Sequence, residues 1–216
     1  FQSKAVSVSR MLEGLKCDVP KEVILKTKEL VYDLVVRHIE VEGFPTMANV
    51  EFREPNVNDL VLLILNPILS DFRRSTGRNI RLRQEKQIIS IDGETGGEEE
   101  FVVMDVIKIK EKRFVFIVES MRSSIGEGMK PCLLTMKDMR DNGFITTGDS
   151  WRMFSYDGIN FQMTRKIEEN LKVCIKNESY GEGVFDCGGL YVWCVEQGRG
   201  CDSRRYSDHR FVYNVV

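Results

Sequence analysis

A chain of 216 residues with 42% hydrophobic and 30% charged side chains lies in the globular range, away from the low-hydrophobicity composition of disordered chains, and its length fits one sizeable core with decoration. The formal net charge of −2 excludes the global cationic character of histone-like or membrane-surface proteins, so any nucleic-acid contact must come from a local patch. The longest apolar run, Leu60 to Leu65, is far short of the roughly 18 residues that span a bilayer, and residues 1–20 lack the apolar segment of a secretory signal. A soluble, intracellular protein without membrane contact is expected, with the nucleus open as its location.

Residues 20–42 place Val23, Ile24, Leu30, Val31, Leu34 and Val35 near 3.6-residue spacing, with Pro20 suited to a first turn and Gly43 and Pro45 as stops. A second helix is expected after a cap at Asn56 or Asn58, with Leu60, Leu63, Ile64, Ile68 and Phe72 facing inward and Pro67 kinking or shortening it. The stretch from Arg73 to Lys86 carries Arg73, Arg74, Arg78, Arg81, Arg83 and Lys86 against the single Glu85. It is the clearest basic patch of the chain. By base rate such a run is a solvated helix end and edge strand; as a functional surface it would meet the phosphates of a nucleic acid.

Three strands rich in Ile, Val and Phe are expected at Gln87 to Ile91, Phe101 to Ile109 and Phe114 to Glu119, forming a meander. The acidic run between the first two, Asp92 to Glu100, reads as a solvated turn. Ser124-Ile125-Gly126-Glu127 matches a capping box. A helix should follow to about Met139, burying Met129, Cys132, Leu133, Met136 and Met139. Phe144 to Thr147 reads as a short strand, and Trp151 to Tyr156 with Asn160 to Thr164 as a hairpin across Asp157-Gly158. Arg165 to Val173 suggests a helix and Gly189 to Val195 a strand.

Of the six cysteines, Cys174, Cys187, Cys194 and Cys201 fall in the tail without the tight C-x2-4-C pair of a zinc site, which argues against zinc and leaves disulfides open there. Cys17 and Cys132 read as buried thiols.

Two carboxylates stand inside this frame. Asp105 interrupts an apolar strand (FVVMDVI), and an acid there is costly to bury unless it is paired or binds a cation. Glu119 closes the third strand. Their bland alternative is an ion pair with Lys108 or Lys112. The order of elements, the acid on the second strand and the strand end Glu119-Ser120-Met121 resemble the PD-(D/E)XK superfamily, the restriction-endonuclease-like nucleases. The run ESMRSSIGEGMKPCLLTMKDM further resembles the nuclease-like domains of fungal Crinkler-type effector proteins.

The resemblance implies an α/β (α+β) fold with a restriction-endonuclease-like core, a central mixed β-sheet flanked by helices. The core would span 51–165, with an N-terminal helical extension over 1–50 and a C-terminal helix and strand extension over 166–216. It also implies Mg²⁺ or Mn²⁺ held by Asp105, Glu119 and the Ser120 carbonyl, with Asp59, backed by Glu54, as the acid of the first core helix. DNA, duplex or single-stranded, would be the substrate, with Arg73, Arg74, Arg78, Arg81, Arg83 and Arg122 along its backbone. A homodimer, and a protein partner bound through the C-terminal region, stay open.

Met121 departs from the pattern, which has a lysine there. A thioether neither carries a transferable proton nor neutralises phosphate, and losing a positioned acid or base costs on the order of 10²–10⁴ in rate. Either Arg122 or Lys130 takes over the role, or the chain is an inactive binding or protein-interaction effector module, or the lysine was replaced deliberately. Trp151 and Tyr156 are candidates for base stacking, though hairpin core or rim is the commoner place for them.

Overall fold

A computed structural model describes residues 3–11, 19–44, 52–89, 96–108, 111–121, 125–139, 142–156 and 159–168. In chain order these form β1 (Ser3–Val6), α1 (Val8–Met11), α2 (Lys21–Glu42), α3 (Glu54–Thr76), β2 (Ile80–Ile89), β3 (Gly96–Lys108), β4 (Glu111–Ser120), α4 (Ile125–Met139), β5 (Asn142–Thr146), β6 (Ser150–Tyr156), β7 (Phe161–Thr164) and β8 (Ile167–Glu168). The fold is α+β around one mixed sheet, with strands in the order β1-β7-β6-β5-β4-β3-β2 and β8 pairing beside β6.

The expected meander is present: β2 pairs with β3, and β3 with β4, all antiparallel. Helix α4 then crosses the sheet and returns the chain as β5, parallel to β4. The expected hairpin is β6 and β7. At the far edge β1 pairs in parallel with β7, so the N-terminal segment contributes a strand as well as helices.

Side chains alternate across the pleat and divide the core in two. One face carries Phe101 and Val103 of β3, Phe116 and Val118 of β4, Phe144 of β5, and Trp151 and Met153 of β6. These pack on the buried stripes of α2 (Val31, Val35, Ile39) and α3 (Leu60, Ile64, Ile68, Phe72). The other face carries Val102, Met104, Ile117, Ile145 and Phe154 beneath Cys132, Leu133 and Met136 of α4. Gly143 lets α4 approach β5 closely. A Cβ there would stand 2.9 Å from Met136 Sδ and 3.0 Å from Cys132 Sγ.

Several local expectations are corrected. Leu30 of α2 is exposed, and the buried stripe runs instead through Thr27, Val31, Val35 and Ile39 at four-residue spacing. Helix α3 is capped at Arg53, whose backbone N–H donates to Asn56 Oδ1 at 2.8 Å, so Asn56 closes the cap from inside the helix. Pro67 neither stops nor shortens α3, which runs on to Thr76 and ends on Gly77 in the left-handed conformation (φ 69°). The strand β2 begins at Ile80, inside the basic run, because Ile80 and Leu82 alternate with Arg81 and Arg83. Glu98 to Glu100, expected in a turn, belong to β3, with Glu99 across from Lys86 in the ladder. Ile167–Glu168 is a strand, not the start of a helix.

Cys132 is a buried free thiol, as expected. The tail from residue 169, with its four cysteines and the strand expected at Gly189 to Val195, lies outside the described residues, as do Cys17, Arg122 and Ser124. Among the described residues no helix is long and apolar enough to cross a membrane.

Candidate functional site

Asp105 lies in step with Phe101 and Val103, on the face covered by α2 and α3. It is 8% exposed, and Arg78 is its partner; the side chains of Lys108 and Lys112, the alternatives the sequence offers, lie outside the described residues. Both Nε, at 3.0 Å, and Nη2 of Arg78 donate to Asp105 Oδ2. The same guanidinium sits over the Phe72 ring, 5.8 Å from its centroid. Beside the pair, Val106 N–H donates to Asn79 O at 3.0 Å. Asp105 thus ties the α3–β2 turn to β3. A paired carboxylate under an arginine fork has its charge already compensated.

Glu119 occupies the other face and the other end of the meander. It alternates with Val118, which packs towards α3, and its β5 partner is Ile145, which packs under α4. The carboxylate is 4% exposed. The β3–β4 ladder fixes which β3 residue stands opposite: Phe101 pairs with Val118, so one further step brings position 100 to Glu119. From position 100 to Asp105 the strand advances five residues, roughly 17 Å at the usual rise. The structure therefore does not bring Asp105 and Glu119 together.

Ser120 and Asn58 make a second contact at this strand end. Ser120 points to the α3 side and its hydroxyl donates to Asn58 Oδ1. Asp59, the expected helix acid, is exposed on α3, as is Glu54 in its first turn; Asn58 is the residue that reaches the strand. Met121 continues beyond β4 with its N–H donating to Thr146 O at 2.8 Å. Its side chain is half-buried against the core under α4. A Cβ at Gly128 would stand 3.0 Å from Met121 Cγ and 3.1 Å from Ile145 Cγ2. The absent Cβ in α4 is thus filled by the methionine. Lys130 is exposed on α4.

The basic run separates into tied and free members. Arg73 donates to Ile80 O at 3.0 Å, Arg74 pairs with Asp71 at 2.8 Å, and Arg78 is held by Asp105. Arg81 and Arg83 are exposed. They stand across from Met104 and Val102 in the ladder and so share the Glu119 face. Trp151 is 5% exposed and edge-on to Phe144, and Tyr156 stacks on Phe161, so both serve the hairpin core.

Among the described residues no three His, Cys, Asp or Glu side chains gather as a metal-holding group. Comparison with protein-family models, curated proteins and solved structures returned no match.

Proposed function

We propose that the region from α3 to β5 is a restriction-endonuclease-like core and that its α4 face bears a nuclease-type site centred on Glu119. One observation carries this reading. A helix, an antiparallel meander, a crossover helix and a strand parallel to the last meander strand follow one another, and Glu119 lies buried at the end of that last strand, two residues before Met121. The substrate class is the phosphodiester backbone of DNA.

Glu119 is the residue that would hold Mg²⁺ or Mn²⁺, hard cations that prefer carboxylate oxygens. When bound, such an ion neutralises charge at the phosphate and lowers the pKa of a coordinated water. Asp105 is left out because it stands five residues along β3 from the position opposite Glu119. Arg81 and Arg83 approach the DNA backbone from the same face, supplying affinity rather than sequence choice.

A second reading has its own support. The packing of Met121 into the gap at Gly128 makes position 121 part of the core and favours an inactive nucleic-acid-binding or protein-interaction module on the same fold. Cleavage of linear duplex and single-stranded DNA with Mg²⁺ or Mn²⁺ separates the two. Met121→Lys should cut in a metal-dependent manner, and Met121→Lys with Glu119→Gln should not. If Met121→Lys is inert while the chain still binds DNA, the binding module is the correct description.

A further inference from the structure

Among the arginines whose side chains are described, Arg152 of β6 has a buried nitrogen without a hydrogen-bond partner. Arg73 caps a carbonyl, Arg74 and Arg78 hold carboxylates, and Arg81 and Arg83 are in water. Arg152 is partly buried, and its Nε is buried without any hydrogen-bond partner. Its Nη1 meets only Met163 Sδ, at 3.8 Å, and a thioether is a weak acceptor. A guanidinium presents five N–H donors in a fixed fork. Removing such a group from water without an acceptor is unfavourable.

The register shows where this fork lies. Trp151 and Met153 pack towards α2 and α3, so Arg152 between them belongs to the α4 face. It pairs with Ile145, which in turn pairs with Glu119. Glu119, Ile145 and Arg152 form one row across three adjacent strands, which sets the outer two backbones about 10 Å apart. The first turns of α4 cover the middle of the row, since a Cβ at Gly128 would stand 3.1 Å from Ile145 Cγ2. The N-terminal end of a helix carries partial positive charge and favours anions. An anion bound beside Arg152 would give its Nε the acceptor it lacks.

From this geometry we infer that Arg152 is an anion-binding residue that takes a backbone phosphate of the DNA strand, on the side of the row opposite Glu119. The inference rests on the proposed nuclease-type site and adds a phosphate contact to it. The fork geometry suits two oxygens of one phosphate, as arginine does in bidentate recognition. Glu119 on one side and Arg152 on the other would then bracket the strand.

The test is fluorescence anisotropy of a labelled single-stranded and a labelled duplex oligonucleotide in EDTA, so that neither metal binding nor cleavage enters, with the thermal midpoint of each variant measured alongside. Arg152→Met should weaken binding about 10-fold or more, the size of a lost charge-assisted hydrogen bond, with an unchanged or raised midpoint, because a buried Nε without a partner is exchanged for an apolar side chain. Arg152→Lys, which keeps charge but not the fork, should fall between. Unchanged binding in Arg152→Met overturns the inference, and so does a lowered midpoint, which would make Arg152 structural. Failure of the nuclease reading looks different: DNA binding that still depends on Arg152, with no cleavage by Met121→Lys.

Discussion

Two buried acids on neighbouring strands show how differently the same side-chain chemistry is used at the two ends of one meander. Asp105 is met by Arg78, with Phe72 beneath the guanidinium, and its charge is spent on joining α3, β2 and β3. Glu119 sits on the opposite face, under α4, at a strand end beside Ile145, where Met121 and Gly128 pack together. An acid inside an apolar strand is therefore not by itself a sign of catalysis. What decides is which face it takes and which residues stand there with it.

The largest expected contrast is in activity. In the Met121→Lys background, Glu119→Gln should reduce metal-dependent cleavage on the order of 10²-fold or more, whereas Asp105→Asn, which keeps an acceptor for Arg78, should leave the rate per folded molecule within a few-fold. Stability should show the reverse order. Asp105→Ala leaves Arg78 without its partner and should cost roughly 2–4 kcal/mol in urea unfolding, below the full cost of breaking a buried pair because Arg78 is partly exposed. If Asp105→Ala proves neutral, the structural role assigned to it is wrong.

Packing on the Glu119 face gives the next step down. Gly143→Ala drives a methyl group into Met136 Sδ and Cys132 Sγ and should destabilise by about 1–3 kcal/mol; trimming the obstacle with Cys132→Ala in the same chain should recover part of it. Ser120→Ala removes the hydroxyl that Asn58 accepts and should cost about 1 kcal/mol. Replacing Arg81 and Arg83 together by Gln should leave stability nearly unchanged and lower the salt slope of DNA binding by about 2. An equal drop from Arg73→Gln, whose Nη1 is tied to Ile80 O, would erase the division between tied and free arginines.

The helices and the meander were legible because their signals are local. Val31 and Val35 in α2, and Leu60, Ile64, Ile68 and Phe72 in α3, repeat at helical spacing, and the Ile, Val and Phe runs of β3 and β4 lie between charged turns. The start of β2 was hidden because Arg81 and Arg83 dominate the run, while the alternation of Ile80 with Leu82 is only two residues long. Pro67 misled because a helix with a strong buried stripe tolerates one missing amide hydrogen bond. The parallel pairing of β1 with β7 joins residues far apart in sequence and has no local signature. That Asp105 stands away from Glu119 rests on ladder register, which includes an irregularity between Val103 and Met104. A single displaced residue in a strand reverses every side chain beyond it, and no reading of residue types alone resolves that.

Calorimetric titration of Mn²⁺ into the chain, into Asp105→Asn and into Glu119→Gln tests the central claim, that the two buried acids have separate tasks. The account predicts binding to the chain and to Asp105→Asn and its loss in Glu119→Gln, with all three folded by circular dichroism. Loss of binding in Asp105→Asn with retention in Glu119→Gln would contradict it, as would the absence of binding to all three.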